Sequence, residues 1–438
     1  MPLTAEANGW DQAAFCEQWK DPMLRPSRTG YQSSSDHTCH RPPQPAVAMQ
    51  PLIAVPVTLA LVAYAHLKKK LTPSGIAAAV FTAAVHAYHP WNLPFVLLVV
   101  FFLIGTRVTK IKQDYKATLT LTSSGANNEG PRTHIQVFAN SLIGTSLTWM
   151  HAHQLRRRER LFADTETENP NSTLCFSWGP QVDLLVIGIV ANYAVAAADT
   201  FSSELGILAR SEPRLITDPA RKVPRGTNGG VTLEGLAAGL LGSIIISTTA
   251  IFFLPTCDDS TAGTVGGGVP WTAQQRAIFL VLIALWGLVG SIFDSWLGAS
   301  FQRTVKDVRS GKVVEGEGGN RAMVSTDEGV KTKHSVVKDV TLKGEGSASV
   351  EKPEADVASS SAIDDTPADV TSRAKYDPKD KHRTSSFGDS QPTRVVENGV
   401  DILDNNDVNF SMTFCMSLCA MALAGQYFGV PFNSISTV

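Results

Sequence analysis

"VDLLVIGIVANYAVAAADTFSSELG", residues 182–206, decides how the chain is read. No charged side chain occurs from Leu184 to Ala198, and then Asp199 and Glu204 arrive within about one and a half turns of helix. A helix this apolar is buried in a bilayer or in a large core. The acids at its end either mark the exit from a membrane or hold something.

Working outward, comparable apolar runs lie at 52–67, 75–91, 93–106, 136–150, 182–198, 233–254, 277–298 and 410–430. Crossing a bilayer takes roughly 20 apolar residues, within a range of about 17–25. The runs at 233–254, 277–298 and 410–430 meet that length, while 136–150 and 182–198 are short but workable. "LTPSG" (71–75) and "HPW" (89–91) punctuate the early runs. Soluble domains seldom carry so many uncharged helical stretches. The expected fold is therefore all-α, a polytopic transmembrane helical bundle of about eight spans (seven to nine).

Basic residues in short loops orient such a bundle. Lys68–Lys69–Lys70 follow the first run; Arg107, Lys110, Lys112 and Lys116 follow the third. Arg210, Arg214, Arg221, Lys222 and Arg225 follow the fifth; Arg303, Lys306 and Arg309 follow the seventh. All four clusters share one side of an eight-span chain, which is read as cytoplasmic. "RRRER" (156–160) falls on the other side, against the pattern. Cys175 and Cys257 also fall there, where a disulfide is geometrically allowed. No CxxC or metal-ligand spacing occurs among the six cysteines, and Cys415 and Cys419 read as packing residues.

Residues 1–48 are polar and Pro/Ser-rich, without the basic start and apolar core of a signal peptide. They read as a disordered extension or a wrong start, with Met49 opening directly into a span. Residues 49–302 read as the transmembrane domain with the first seven spans. Residues 303–409 are rich in Gly, Ser, Asp, Glu and Lys, too polar to offset chain entropy by burial. They read as a disordered cytoplasmic loop ending in "DNNDVN", with 410–438 as the last span and C-terminus. No basic domain with interleaved aromatics is visible, which sets nucleic acid aside.

Polar residues converge at one membrane face in this arrangement. Asp199 ends the fifth helix, Asp294 lies near the end of the seventh, and Gln136 and Asn140 begin the fourth. "PRGTNGGVT" (224–232) leads into the sixth helix and "DNNDVN" (404–409) into the eighth. Polar groups at membrane depth usually face a cavity and tend to be functional. Asp199, Glu204 and Asp294 are the candidate catalytic carboxylates. Gly290, Asp294 and Gly298 form one small-residue stripe that lets another helix approach. Gln136, Asn140 and Gly144 form a similar stripe, read as interhelical hydrogen bonding. Gly226, Asn228, Gly229 and Gly230, beside Arg225 and before a helix start, suit a phosphate. The loop lacks the GK[ST] ending of a Walker A motif. Asp404 and Asn405 supply hard oxygen ligands that, with Asp199 and Asp294, suit Mg²⁺. Helix capping is the competing reading for Asp404. Lys110 and Lys116 are candidates for nucleotide or lipid phosphate. His86 and His89 read as interfacial, at the opposite face.

"AADTFSSELG" (197–206), "PRLIT" (213–217), "VPRGTNGGVT" (223–232), "GSIFDSWLGASFQ" (290–302) and "DNNDVN" together resemble the transmembrane protein 19 family, also known as domain-of-unknown-function family 92. "TRVTKIKQDYK" (106–116) and "QVFANS" (136–141) fit its early part, and the resemblance covers about residues 52–302 and 401–430. One plant branch of that family is a phytyl-phosphate kinase, which makes an isoprenoid diphosphate from a nucleoside triphosphate. The resemblance implies a lipid-phosphate kinase here. The expected function is a Mg²⁺-dependent phosphotransferase acting on an isoprenoid or other lipid phosphate, with a nucleoside triphosphate as donor. A transporter or channel, or a membrane scaffold, is the alternative. The endoplasmic reticulum is the expected membrane.

Overall fold

The computed structural model describes residues 51–122, 130–163, 173–262, 264, 266–316, 319, 322, 394–433 and 435. Nine helices occur among them: α1 (Pro51–Leu67), α2 (Pro73–Tyr88), α3 (Leu93–Lys110), the single turn α4 (Gln113–Lys116), α5 (His134–Ala163), α6 (Leu184–Gly206), α7 (Leu233–Phe253), α8 (Ala273–Phe301) and α9 (Asn405–Phe428). Leaving out α4, these coincide with the eight apolar runs. Five of them, α3 and α6 to α9, are long and apolar enough to cross a membrane. The protein is thus a mostly helical membrane protein. The first two helices are shorter, and α5 ends in the charged "RRRER".

Each helix starts where its side chains allow. Thr72, Asp183, Thr232 and Thr272 cap α2, α6, α7 and α8 by accepting a hydrogen bond from a backbone N–H of the first turn. Such caps contribute about 1 kcal/mol each.

Helix α6 is the hub. Leu184 to Ala198 are buried without a break, and the helix packs against α3, α5, α7, α8 and α9. Its alanines permit this, because small residues let backbones approach. A Cβ on Gly242 of α7 would lie 2.7 Å from the Ala197 carbonyl oxygen, and one on Gly287 of α8 2.8 Å from that of Ala194. The predicted Gly290 stripe meets Val195 of α6.

The all-α expectation needs correction. Two small sheets accompany the bundle, one in the order β1-β6-β5-β7 and one β3-β2-β4. Their strands are β1 (Leu121–Thr122), β2 (Arg214–Leu215), β3 (Asp218–Lys222), β4 (Gly230–Val231), β5 (Thr304–Asp307), β6 (Val313–Glu315) and β7 (Arg394–Asn398). Segments of two to five residues are too short to show a period of two. Their partners are also remote, Thr304 facing Asn398. Ordered structure therefore enters both ends of the stretch 303–409 read as a disordered loop, anchored by buried Val305, Val313 and Val314. The last helix likewise begins at Asn405, before the expected 410. Residues 1–48 and the middle of the loop, 323–393, lie outside the described residues.

At the end of the bundle away from Asp199, Cys175 and Cys257 form a disulfide. Two arginines of the "RRRER" cluster have partners there. Arg158 Nη1 donates to Asp183 Oδ2 at 2.7 Å, and the Arg156 guanidinium lies 3.5 Å from the Tyr88 ring centroid. Burial alone would raise the Asp183 carboxyl, but the His151 and Arg158 charges outweigh it and hold it below the usual range. The interfacial reading of His86 and His89 is corrected, since both are fully buried. The His86 ring nitrogen lies 2.6 Å from the Tyr193 hydroxyl, and His89 Nε2 lies 2.7 Å from His151 Nδ1.

Candidate functional site

Alternating helix ends meet around one cavity of about 680 Å³. Its lining includes the last turns of α1, α3, α6 and α8 and the first turns of α2, α5, α7 and α9, so successive helices enter it in opposite directions. The convergence expected from the sequence is present. Among the predicted site residues, Lys116, Asp199, Glu204, Gly226, Asn228, Gly229, Gly230, Asp294, Asp404 and Asn405 all line this space.

Two carboxylates are its centre. Helices α6 and α8 both run toward the cavity, so Val195 beside Gly290 puts Asp199 beside Asp294, one turn further along each helix. The two carboxyl groups lie within hydrogen-bonding reach of each other. Asp294 Oδ1 is buried and accepts no hydrogen bond from the described residues. No lysine or arginine among the described residues acts on either carboxylate. Two adjacent carboxylates cannot both stay ionised without a cation or a shared proton. The pair therefore fits a hard divalent cation such as Mg²⁺, with Asn405 and Asn409 as further oxygen donors on the cavity wall. No group of three or more His, Cys, Asp or Glu side chains converges among the described residues, so water and substrate oxygens would complete the shell.

Glu204 plays a different part. It forms an ion pair with Lys116, whose Nζ also donates to the Thr109 carbonyl at 2.8 Å. The single turn α4 brings Lys116 back over the end of α3. Two basic candidates lie elsewhere. Lys110 is on the exposed side of α3, where it donates to the Tyr64 hydroxyl at 2.7 Å. Arg225 is not part of the cavity lining and donates to the carbonyl of Ile207, a lining residue, at 3.1 Å. Helical spacing separates Lys110 from Thr109 on the wall, and the turn of the glycine loop does the same to Arg225.

The glycine loop is as much a packing device as a cradle. Gly226 and Gly229 have positive φ, +83° and +76°. A Cβ on Gly229 would lie 2.3 Å from that of Ala299, so the loop rests on α8. The amides of Thr227, Asn228 and Gly230 are engaged by Pro224 O, Thr304 Oγ1 and Thr227 O, which narrows the anion-cradle reading. Asp404 caps α9: its Oδ1 accepts from Asn406 and Asp407 N–H at 2.8 and 2.9 Å. Capping, the competing reading, accounts for this carboxylate. On α5, Gln136 and Asn140 reach the wall, and Asn192 donates to the Asn140 carbonyl at 3.4 Å, in keeping with interhelical bonding.

Lys70, Arg132, Arg303 and Thr120 line the cavity but were not singled out as site residues. Arg303 was legible, directly after "GASFQ", yet read only as a topology marker; its Nη1 lies 3.1 Å from Asp401 Oδ2. Arg132 and Thr120 sit in connecting segments that carry no motif.

Known proteins place the chain. The family profile described as integral membrane protein DUF92 matches residues 56–417. Protein PGR of Arabidopsis thaliana is 34% identical over 253 residues, 57% of this chain and 79% of its own length. An uncharacterized membrane protein of Methanocaldococcus jannaschii, MJ0933, is 29% identical over 48% of this chain and 65% of its own. Protein VTE6, chloroplastic, of Arabidopsis thaliana is 28% identical over 53% of this chain and 56% of its own. None of these names points to the endoplasmic reticulum. No solved structure matches. The family resemblance carried by the quoted motifs holds, and the chain belongs to the DUF92 family of integral membrane proteins.

Proposed function

We propose that this cavity is the active site of a Mg²⁺-dependent phosphotransferase that extends an isoprenoid or other lipid monophosphate to a diphosphate, with a nucleoside triphosphate as donor. The observation that carries the reading is the Asp199–Asp294 pair, two carboxylates facing each other with no basic partner among the described residues, in a cavity that is polar at one end and apolar at the other. The resemblance to a plant phytyl-phosphate kinase branch supports it. So does the membrane setting, read as eight crossings with the cavity opening toward the basic loops.

Phosphoryl transfer needs positioning and charge neutralisation more than a covalent nucleophile. An oxygen of the lipid phosphate forms a bond to the terminal phosphorus of the donor, and the bond from that phosphorus to the bridging oxygen breaks. The nucleoside diphosphate leaves with the electron pair. A phosphate monoester is mostly dianionic at neutral pH, its second pKa being about 6, so its attack needs no strong base. Mg²⁺ bound at Asp199 and Asp294 would neutralise the triphosphate charge. Lys116, released from Glu204 by an arriving phosphate, places a positive charge at the cavity wall. Gly226 and Gly229 keep the loop close enough for backbone to approach the phosphates. The acids lie seven residues inside the ends of α6 and α8, about 10 Å along each helix from the ends that lead into the basic loops.

The test is transfer of label from ATP or CTP to a panel of prenyl monophosphates by the purified protein in detergent. A labelled lipid diphosphate that is lost in Asp199→Asn supports the reading. No product from well-folded protein across donors and acceptors sinks it.

A further inference from the structure

The cavity is not equally deep on every side. Counted from the helix ends that meet at its mouth, the lining stops at Asp199 on α6 and Asp294 on α8, each seven residues in, and at Ser141, seven residues into α5. At 1.5 Å per residue the polar chamber is about 10 Å deep there. Along α1, α2 and α3 it continues. The deepest lining residues are Thr58, nine residues from the end of α1, Ala83, ten residues into α2, and Phe95, fifteen residues from the end of α3. Those correspond to about 14, 15 and 22 Å. Each helix lines the arm with one face: Thr58, Leu61, Val62 and Ala65 on α1 fall at spacings of three and four. The arm's wall on α3, which includes Leu98, Val99 and Phe102, carries no charge.

We propose that this apolar arm is a tail site for a single-chain lipid phosphate, with chain length read by Ala83 and Phe95. The inference rests on the lipid-phosphate reading of the cavity. Its occupant follows from continuity: a ligand whose phosphate sits at the polar chamber meets, among the described residues, an apolar continuation of the lining along α1–α3. Half of a bilayer's hydrocarbon core is about 15 Å thick, so the arm takes an extended chain through one leaflet and beyond. The whole cavity, about 680 Å³, is in the range of roughly 300–1,000 Å³ that holds one small ligand. A cavity of that size suits a ligand with a single chain. Phe95, almost fully buried, is the deepest lining residue on α3. Ala83 leaves the α2 wall open where a larger side chain would block it.

The experiment measures binding of geranyl, farnesyl and geranylgeranyl monophosphates, with phosphatidic acid as a two-chain comparator, to the full chain purified in detergent. The same preparations are assayed for phosphoryl transfer. Wild type is expected to bind more tightly as the prenyl chain lengthens and to bind phosphatidic acid least. Ala83→Phe should weaken the longest ligand at least tenfold and leave the shortest unchanged. Phe95→Ala, an opposite change that does not depend on Ala83→Phe folding, should move the preference toward the longest. Equal chain-length profiles in wild type and both variants, or phosphatidic acid bound as tightly as the prenyl ligands, would overturn the tail site. Length-graded binding with no transfer from ATP or CTP keeps the tail site and removes the kinase reading. Transfer that ignores chain length in every variant keeps the kinase and removes the tail site.

Discussion

Gly290→Ala tests how the carboxylate pair is held. Gly290 lies one turn from Asp294, against Val195, which lies one turn from Asp199. A Cβ there would sit 2.4 and 2.6 Å from the two γ-methyl carbons of Val195. Ordinary contact begins near 3.4 Å, so the seam must open by about 1 Å. Val195 is fully buried and β-branched, and its side chain has little rotamer freedom to retreat. Overpacking of this kind costs about 1–3 kcal/mol. The chemical effect should be larger than the stability effect, because a misplacement of about 1 Å at reacting groups costs roughly 10²-fold in rate. The assay is lipid phosphoryl transfer beside thermal unfolding of the purified protein. Gly290→Ala should lose about two orders of magnitude in kcat while remaining folded. Adding Val195→Ala, which removes the clashing methyls, should restore most of it. If Gly290→Ala keeps full activity, or if Val195→Ala fails to rescue it, the argument from helix register to carboxylate placement is wrong.

Three further outcomes follow from named contacts. Gly229→Ala combines a strained φ of +76° with a 2.3 Å approach to Ala299, and should lower the melting temperature and activity together; unchanged melting would contradict the packing role of the loop. Lys116→Met should raise KM for the lipid phosphate roughly ten- to a hundredfold, as expected for losing a charged hydrogen bond of about 1.5–3 kcal/mol. An unchanged KM would remove Lys116 from the phosphate site. Arg158→Met removes the guanidinium from the buried Asp183 carboxylate but leaves His151 beside it, and should destabilise the protein by about 1.5–3 kcal/mol. Asp183 has its folded pKa held down, so its stabilisation is complete above the ordinary carboxylate value of about 3.9 and is lost as pH falls toward the folded value. The melting difference between wild type and Arg158→Met should hold through neutral pH and shrink in acid; a difference that grew in acid would contradict this.

The helices were legible because apolar runs and their breaks carry the membrane signal directly. The convergence of Asp199, Asp294, the glycine loop and "DNNDVN" was legible because alternating helices must return their ends to the same face. The pairing of Asp199 with Asp294 was half visible. The stripe Gly290–Asp294–Gly298 announced a close neighbour, but nothing in the sequence named α6 as that neighbour. The strands were not legible: β5 pairs with β7 across roughly ninety residues, and two-to-five-residue segments give no periodicity. Lys110 and Arg225 were misplaced because basic residues near a site are indistinguishable by sequence until the helix face or loop turn is known. Asp404 was divided between ligand and cap, and its backbone partners make it the cap. Two arginines of "RRRER" have partners that loop counting ignores, Arg158 on buried Asp183 and Arg156 on the Tyr88 ring.

The most direct test is formation of lipid diphosphate against Mg²⁺ concentration for wild type, Asp199→Asn and Asp294→Asn, with each protein shown to be folded. The account predicts saturable Mg²⁺ dependence in wild type and loss of product in both variants at any Mg²⁺ concentration. Full turnover in both variants, or turnover in wild type that is indifferent to Mg²⁺ removal, would contradict it.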